Sequence, residues 1–353
     1  MGHAIRSAAT TARTIGPVCD QQILKKPTTT VQMSNKPYIE NVPLVDFGPY
    51  RNGDAQAKAK VVEEIRFACE NVGFMYLGGD HGMAPDQFDC LIGVARDFFA
   101  QPIDFKMQLR GTPGSPRGYI PMQAHQRAGT SAPDLHEAYK FEAEWPADDP
   151  DVIAGDRLRF QNKWPPGMPE FRRVLTEYFT FMTGLGDDLL GAFALALGLP
   201  EKHFHQHYRK PLDMMTIHHY PPSPAGFKEN AYSLHPHVDD VAFTILAQDD
   251  VGGLLIEVEP DRWLLAPPLP NTFVINIGSL IQRWSNGRFP ATLHKVINES
   301  GRERFSVPWF SIPDFDTVVE PLPQFVAEGD KPKYPPLTVG PYFVKKFSRD
   351  WTY

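Results

Sequence analysis

Four titratable side chains fall close together in "SLHPHVDDVAF": His235, His237, Asp239 and Asp240. Histidines and carboxylates at such spacing are able to hold a metal ion. They are equally able to decorate a turn. If residues 233–247 enter a strand, side chains alternate between faces, so His235, His237 and Asp239 share one face and Asp240 takes the other. A metal retained in water needs a third protein ligand. His294, in "RFPATLHKVINES", opens a later β run, 57 residues beyond His237 (294 − 237). His-x-Asp with a distant His is the donor set of the two-histidine, one-carboxylate facial arrangement. That set favours non-haem Fe(II) and leaves one octahedral face open for other ligands.

A second group lies downstream. Arg304 and Ser306, in "RERFSVPWF", are two residues apart and share a strand face. A guanidinium beside a hydroxyl suits a carboxylate held at the end of a pocket. Tyr220, at the end of "MMTIHHY", supplies a phenolic donor of the same kind. Phe310 reads as a core residue or as part of a cavity wall. Arg117 and Tyr119, in a loop-rich region, are candidates for substrate contact. His203 and His207 in "HFHQHYRK" are four apart, as zinc ligands on a helix would be. They have no Glu between them and no third ligand nearby, and a solvated segment is expected.

The elements that must position these residues follow from periodicity. "VPLVDF" (42–47) and "GFMYLGG" (73–79) read as strands; Val61, Val62, Ile65, Ala68 and Val72 recur at helical spacing over 55–72. A helix starts at Pro85 and runs to about Phe99. Residues 111–167, rich in Gly, Pro, Asp and Ala, read as a long loop region. A long helix is expected from Glu170 to Leu197, stopped by Gly198 and Pro200. Beyond residue 212 the period changes to two, in short runs such as "AFTILAQ", "NTFVINIG" and "RFSVPWFSI" separated by turns. Helices first and strands afterwards mean α+β: an N-terminal helical region (37–211) packed on a C-terminal jelly-roll barrel, or double-stranded β-helix (212–320), with a C-terminal tail (321–353) near the site.

Composition narrows the class. Of 353 residues, 42% are hydrophobic and 22% charged, an ordinary globular balance. The net charge of −7 gives no reason to expect nucleic acid or an anionic membrane surface as partner. The longest nearly apolar run, 191–199, is about half of the ~18 residues a membrane span needs. Cys19, Cys69 and Cys90 form no paired framework, which fits a reducing compartment. A soluble, cytoplasmic and monomeric protein is expected. The N-terminal stretch (1–36) carries Arg and Lys with many Ser and Thr but no continuous apolar stretch. It is expected to be a disordered extension, although its composition weakly resembles an organelle transit peptide.

Taken together, "HPHVDDVAF", "NTFVINIGSL", "SNGRFPATLHKV" and "RERFSVPWF" resemble the iron and 2-oxoglutarate-dependent dioxygenases of the isopenicillin N synthase-like superfamily. "NVPLVDF", "ACENVGFMYLGGDHG", "RGYIP" and "YPPLTVGPYF" match its layout too, so the resemblance covers residues 38–347. It implies that His237, Asp239 and His294 ligate iron. It also implies that Arg304, Ser306 and Tyr220 take the distal carboxylate of 2-oxoglutarate, and that His235 and Asp240 stay outside the site. The implied cofactors are Fe(II), 2-oxoglutarate and O2, the co-products succinate and CO2. The implied outcome is hydroxylation, desaturation or oxidative cyclisation of a small organic molecule, in specialised metabolism. A 2-oxoglutarate-independent oxidase of the same superfamily and a non-catalytic binding barrel are the rival readings. Val238, His218 and Ser279 depart from the family's common Thr, Asn and Asp. A halogenase would need a small residue at Asp239, so chlorination is disfavoured.

Overall fold

The computed structural model describes residues 38–112, 116–122, 124, 134–155, 157–222 and 232–350, with side chains as far as 347. The expected extension, 1–36, lies outside them. From Pro37 onward the chain forms one compact unit.

Its helices are α1 (Gly48–Asn52), α2 (Ala55–Asn71), α3 (Pro85–Phe99), α4 (Ile103–Met107), α5 (Pro150–Ala154), α6 (Pro169–Ala196), α7 (Ser279–Trp284) and α8 (Val339–Asp350). The Asp54 side chain accepts the Ala57 N–H at 2.9 Å and caps α2. Helix α2 buries Val61, Val62, Ile65, Ala68 and Cys69, the stripe its periodicity announces. Helices α3 and α6 begin at prolines, whose missing N–H costs nothing in a first turn.

The strands are β1 (Leu44–Asp46), β2 (Phe74–Gly78), β3 (Gly118–Ile120), β4 (Glu137–Glu142), β5 (Met214–Tyr220), β6 (Leu234–His237), β7 (Phe243–Gln248), β8 (Leu254–Glu259), β9 (Arg262–Ala266), β10 (Phe273–Ile277), β11 (His294–Val296), β12 (Arg304–Ser311), β13 (Val318–Val319) and β14 (Leu337–Thr338). Eight form one sheet in the order β1-β2-β10-β7-β12-β5-β4-β3. Four form a second, β6-β11-β8-β9. Both sheets line a shared cavity, so they face one another as the two walls of a jelly roll.

Strand β12 shows how the halves join. Its odd residues Phe305, Val307 and Trp309 are buried in the core shared with the helices. Its even residues Arg304, Ser306, Pro308 and Phe310 line the cavity. Helix α6 lies against the odd side through Gly186. A Cβ there would stand 2.5 Å from the Trp309 ring, so only a residue without one fits.

One expectation changes. Residues 111–167 are not all loop, because β3, β4 and α5 lie within them. Strand β4 is buried on both faces, its Glu137 and Glu142 held in buried ion pairs, so it lacks the apolar–polar alternation that marks a half-exposed strand. The tail, expected near the site, contains the regular helix α8, which brings side chains to the cavity.

Candidate active site

His237 ends β6 and His294 begins β11, and the two are cross-strand partners. Their rings lie 4.2 Å apart between centroids. Asp239 follows two residues after His237, and one ligand atom from each of the three lies within 4.8 Å of the others. Among the described residues this is the one group of three suited to a metal ion.

The tautomers are set by the backbone. His237 Nδ1 lies 2.8 Å from the His235 carbonyl oxygen, and His294 Nδ1 lies 3.1 Å from that of Thr292. A carbonyl only accepts, so each Nδ1 carries the proton and each Nε2 keeps a lone pair. Those Nε2 atoms face Asp239, at 3.6 Å from Oδ1 and 4.0 Å from Oδ2. Asp239 is oriented in turn: Thr244 Oγ1 and Asn276 Nδ2 donate to its Oδ2 at 2.6 and 2.8 Å, and the Ser279 N–H donates to its backbone carbonyl at 2.8 Å. Phe74 packs edge-on against the His294 ring at 5.2 Å. This is the outer-shell support that fixes metal ligands in place.

Strand parity alone misplaces one residue. Strict alternation puts His235 on the face of His237. The structure instead sets Val296 opposite Leu234 and His294 opposite His237, three steps of β6 against two of β11. That β-bulge reverses the phase. Leu234 and His237 line the cavity, while His235 turns away, its N–H and ring Nδ1 on Asp134 Oδ1 at 2.9 and 2.7 Å. Asp240 bonds Lys346.

The second group assembles on the large sheet. Arg304 pairs in register with Tyr220, and Ser306 with His218. Arg304 is fully buried, with its guanidinium carbon 4.9 Å from the Tyr220 ring centroid. It donates to Ser306 Oγ at 3.3 Å and Gln248 Oε1 at 3.2 Å, both neutral, and its Nε has no hydrogen-bond partner among the described residues. The nearby carboxylate of Asp249 accepts instead from the backbone N–H groups of Phe305 and Val251. A buried cation with neutral partners suits an incoming anion. Burial raises the Tyr220 phenol above its usual range, against the opposing influence of Arg304 and Ser306, so it stays a donor. The donor set and this cationic end both fit Fe(II) with a dicarboxylate between them.

The other candidates divide. Phe310 lines the cavity. Arg117 and Tyr119 do not: Arg117 is buried on Glu142 and stacks on Phe160, and the Tyr119 hydroxyl donates to Glu137. Both face the interior behind the sheet, so the structure gives no support to their expected contact with substrate. His207 stacks on Trp284 at 5.5 Å, and His203 joins it in no metal cluster among the described residues. Sequence reasoning missed His136 and Lys140 beside and on β4 and Phe343, Lys346 and Phe347 of α8, all cavity residues. The recurrence of Val339, Phe343 and Phe347 every four residues was a helical signal for the last set.

Residues 211–313 match the family model described as the 2OG-Fe(II) oxygenase superfamily, and residues 42–167 match that of the non-haem dioxygenase in morphine synthesis N-terminal region. The chain belongs to the 2OG-Fe(II) oxygenase superfamily. The 2-oxoglutarate-Fe(II) type oxidoreductase hxnY of Emericella nidulans is 34% identical over 84% of this chain and 86% of its own. The 2-oxoglutarate-dependent dioxygenase citB of Monascus ruber is 33% identical over 80% and 87%. Among solved structures, a full-length Neurospora crassa protein in complex with alpha-KG and thymine has a TM-score of 0.77 at 25% identity, covering 87% of this chain and 96% of that one. JOX2 in complex with 2OG, Fe and JA has a TM-score of 0.74 at 28% identity, covering 88% and 86%. The oxygenase is thus an Fe(II)- and 2-oxoglutarate-dependent enzyme using O2. No helix among its described residues is long and apolar enough to cross a membrane.

Proposed function

We propose that His237, Asp239 and His294 hold the Fe(II) and that Arg304, Ser306 and Tyr220 take the distal carboxylate of 2-oxoglutarate. The enzyme then oxidises a small organic molecule seated against Phe310 and the α8 side of the cavity. The observation that carries this reading is a convergence in one cavity. Three ligand atoms, two of them on histidines whose tautomers the backbone sets, meet there with a buried arginine whose hydrogen-bond partners among the described residues are neutral.

Fe(II) with 2-oxoglutarate and O2 supplies the oxidising power, with succinate and CO2 as co-products. The chain's own residues bind and orient. Thr244 and Asn276 hold Asp239 Oδ2, which also lies 4.0 Å from His294 Nε2, and leave Oδ1 toward His237. Arg304 neutralises the far end of the cosubstrate, and Tyr220 and Ser306 help to anchor it. Phe74, Leu234, Leu246, Leu254 and Val296 make the surroundings apolar, which strengthens those charge-assisted bonds by excluding water. Hydroxylation is the default outcome, with desaturation or ring closure following from substrate placement. Relatives whose names carry a small molecule, kihadalactone A synthase LFS of Citrus sinensis and gibberellin 20 oxidase 2 of Oryza sativa, support a small organic substrate and a role in specialised metabolism. The net charge of −7 supports a small molecule rather than a nucleic acid as partner.

The test is anaerobic addition of Fe(II) and then 2-oxoglutarate, followed by a small-molecule screen for substrate-triggered succinate release. A metal-to-ligand charge-transfer band and stimulated succinate are expected. Iron binding without any such band would overturn the cosubstrate assignment.

A further inference from the structure

The cavity has an outer wall from a distant part of the chain. Helix α8 turns Phe343, Lys346 and Phe347 inward, and all three line the cavity with Phe310 of β12 and Met214 of β5. Positions 343, 346 and 347 lie on one face of a helix. The wall is tied at both ends. At its start the Val339 and Gly340 N–H groups donate to the Thr317 and Phe315 carbonyls at 3.0 and 2.7 Å. Gly340 lies so close to the Phe315 ring that a Cβ there would collide with it. At its far end the Lys346 ammonium donates to Asp240, and Lys140 of β4 lies 5.2 Å from the Phe347 ring centroid. Between these ties Val344 and Lys345 are exposed.

Asp240 is the residue after the proposed ligand Asp239, but its side chain points to α8 rather than to the metal group. The Lys346–Asp240 pair therefore joins the C-terminal helix to the loop that carries the metal site. Each partner keeps about a quarter of its side chain exposed, so the pair sits at the boundary between cavity and solvent.

We infer that Lys346 is a positioning residue for substrate: its ion pair with Asp240 holds Phe343 and Phe347 as the outer aromatic wall of the substrate compartment. This rests on the cavity being the oxidation site. The wall suits a substrate with a flat apolar ring. Arg304 lies at the opposite end of β12 from Phe310, so loosening α8 leaves the cosubstrate end intact.

The test compares the full chain with Lys346→Met, Asp240→Asn and Lys346→Arg. Backbone amide exchange over 342–347 is measured in each. Lys346→Met and Asp240→Asn are expected to speed exchange there about tenfold, as local opening loses one tie. Lys346→Arg, which keeps the charge, is expected to stay close to wild type. The anaerobic 2-oxoglutarate titration midpoint should not move in Lys346→Met. For any compound found by the succinate screen, Lys346→Met should raise its KM while the KM for 2-oxoglutarate holds. Unchanged exchange in both single variants, or acceleration spread through the barrel, would overturn the inference. So would equal rises in both KM values. Failure of the metal reading shows separately, as missing iron in wild type, and leaves the exchange result valid.

Discussion

His237 and His294 face one another across β6 and β11, and each turns its Nδ1 onto the carbonyl two residues before it. The backbone thereby chooses which nitrogen each ring offers to a metal. Replacing His237, Asp239 or His294 by Ala should abolish stoichiometric iron binding while leaving a folded protein, as measured by metal content and circular dichroism. His235→Ala should keep its iron. It removes the ring hydrogen bond to Asp134 and keeps the backbone one, so its melting temperature should fall modestly. Loss of iron in His235→Ala with retention in His237→Ala would redraw the site.

Thr244 and Asn276 meet on one oxygen of Asp239. Both act on the metal position through that carboxylate. Thr244→Val and Asn276→Ala should each weaken Fe(II) affinity by about 10–100-fold, the usual cost of losing an outer-shell partner. Competition with a chelator measures this, and unaltered affinity in both variants would show that Asp239 is oriented without them.

Arg304 carries the cosubstrate claim. Removing a buried partner of an anion costs about 2–5 kcal/mol, roughly thirtyfold to several-thousandfold in affinity. Arg304→Gln should raise the 2-oxoglutarate requirement by that factor with Fe(II) affinity near wild type. Arg304→Lys should fall between, keeping charge but losing the two-pronged geometry. The charge-transfer titration reads both, and an unshifted midpoint in Arg304→Gln would end the assignment.

Arg117 tests the opposite expectation. It is buried on Glu142, away from the cavity lining. Arg117→Met should destabilise the fold by about 3–5 kcal/mol, since buried Glu142 loses its ion-pair partner and keeps the Phe160 N–H on its other oxygen. The 2-oxoglutarate titration of the surviving folded protein should match wild type. A KM effect without a stability loss would return Arg117 to the site.

Asp213 gives a pH dependence. Burial raises its carboxyl from 3.8 to about 8, only partly opposed by the Ile312 N–H at 2.8 Å and by Arg159. The folded state therefore keeps a proton that the unfolded chain has lost. Its contribution is full below the unfolded value of 3.8 and falls as pH rises toward about 8. Asp213→Asn should raise the melting temperature at pH 8 more than at pH 5. Equal shifts at the two pH values would mean that the carboxyl ionises freely in the fold.

What the sequence disclosed follows from where periodicity survives. On β12 alternation is strict, so Arg304 and Ser306 could be placed on one face from spacing alone. Helices α2, α3 and α6 announced themselves by one apolar stripe each and by their prolines, caps and glycine stops. On β6 the bulge beside Pro236 broke alternation, and no local rule counts the residues of a strand pairing with β11 from far along the chain. Strand β4 was hidden because its charges are satisfied internally by Lys106 and Arg117, partners distant in sequence. The metal ligands were legible and their supports were not: Thr244 and Asn276 gain meaning only once β7 and β10 lie side by side.

Strand β12 also acts as a ruler. Arg304 and Phe310 stand six residues apart on it, facing the same cavity. At about 3.3 Å per residue the backbone holds their positions ~20 Å apart. A strand hydrogen-bonded on both sides does not stretch, so cosubstrate grip and substrate wall occupy fixed marks along one scale. Changes near Phe310 can therefore alter which molecule fits without moving Arg304. One end of the scale is free to diverge while the other keeps its place.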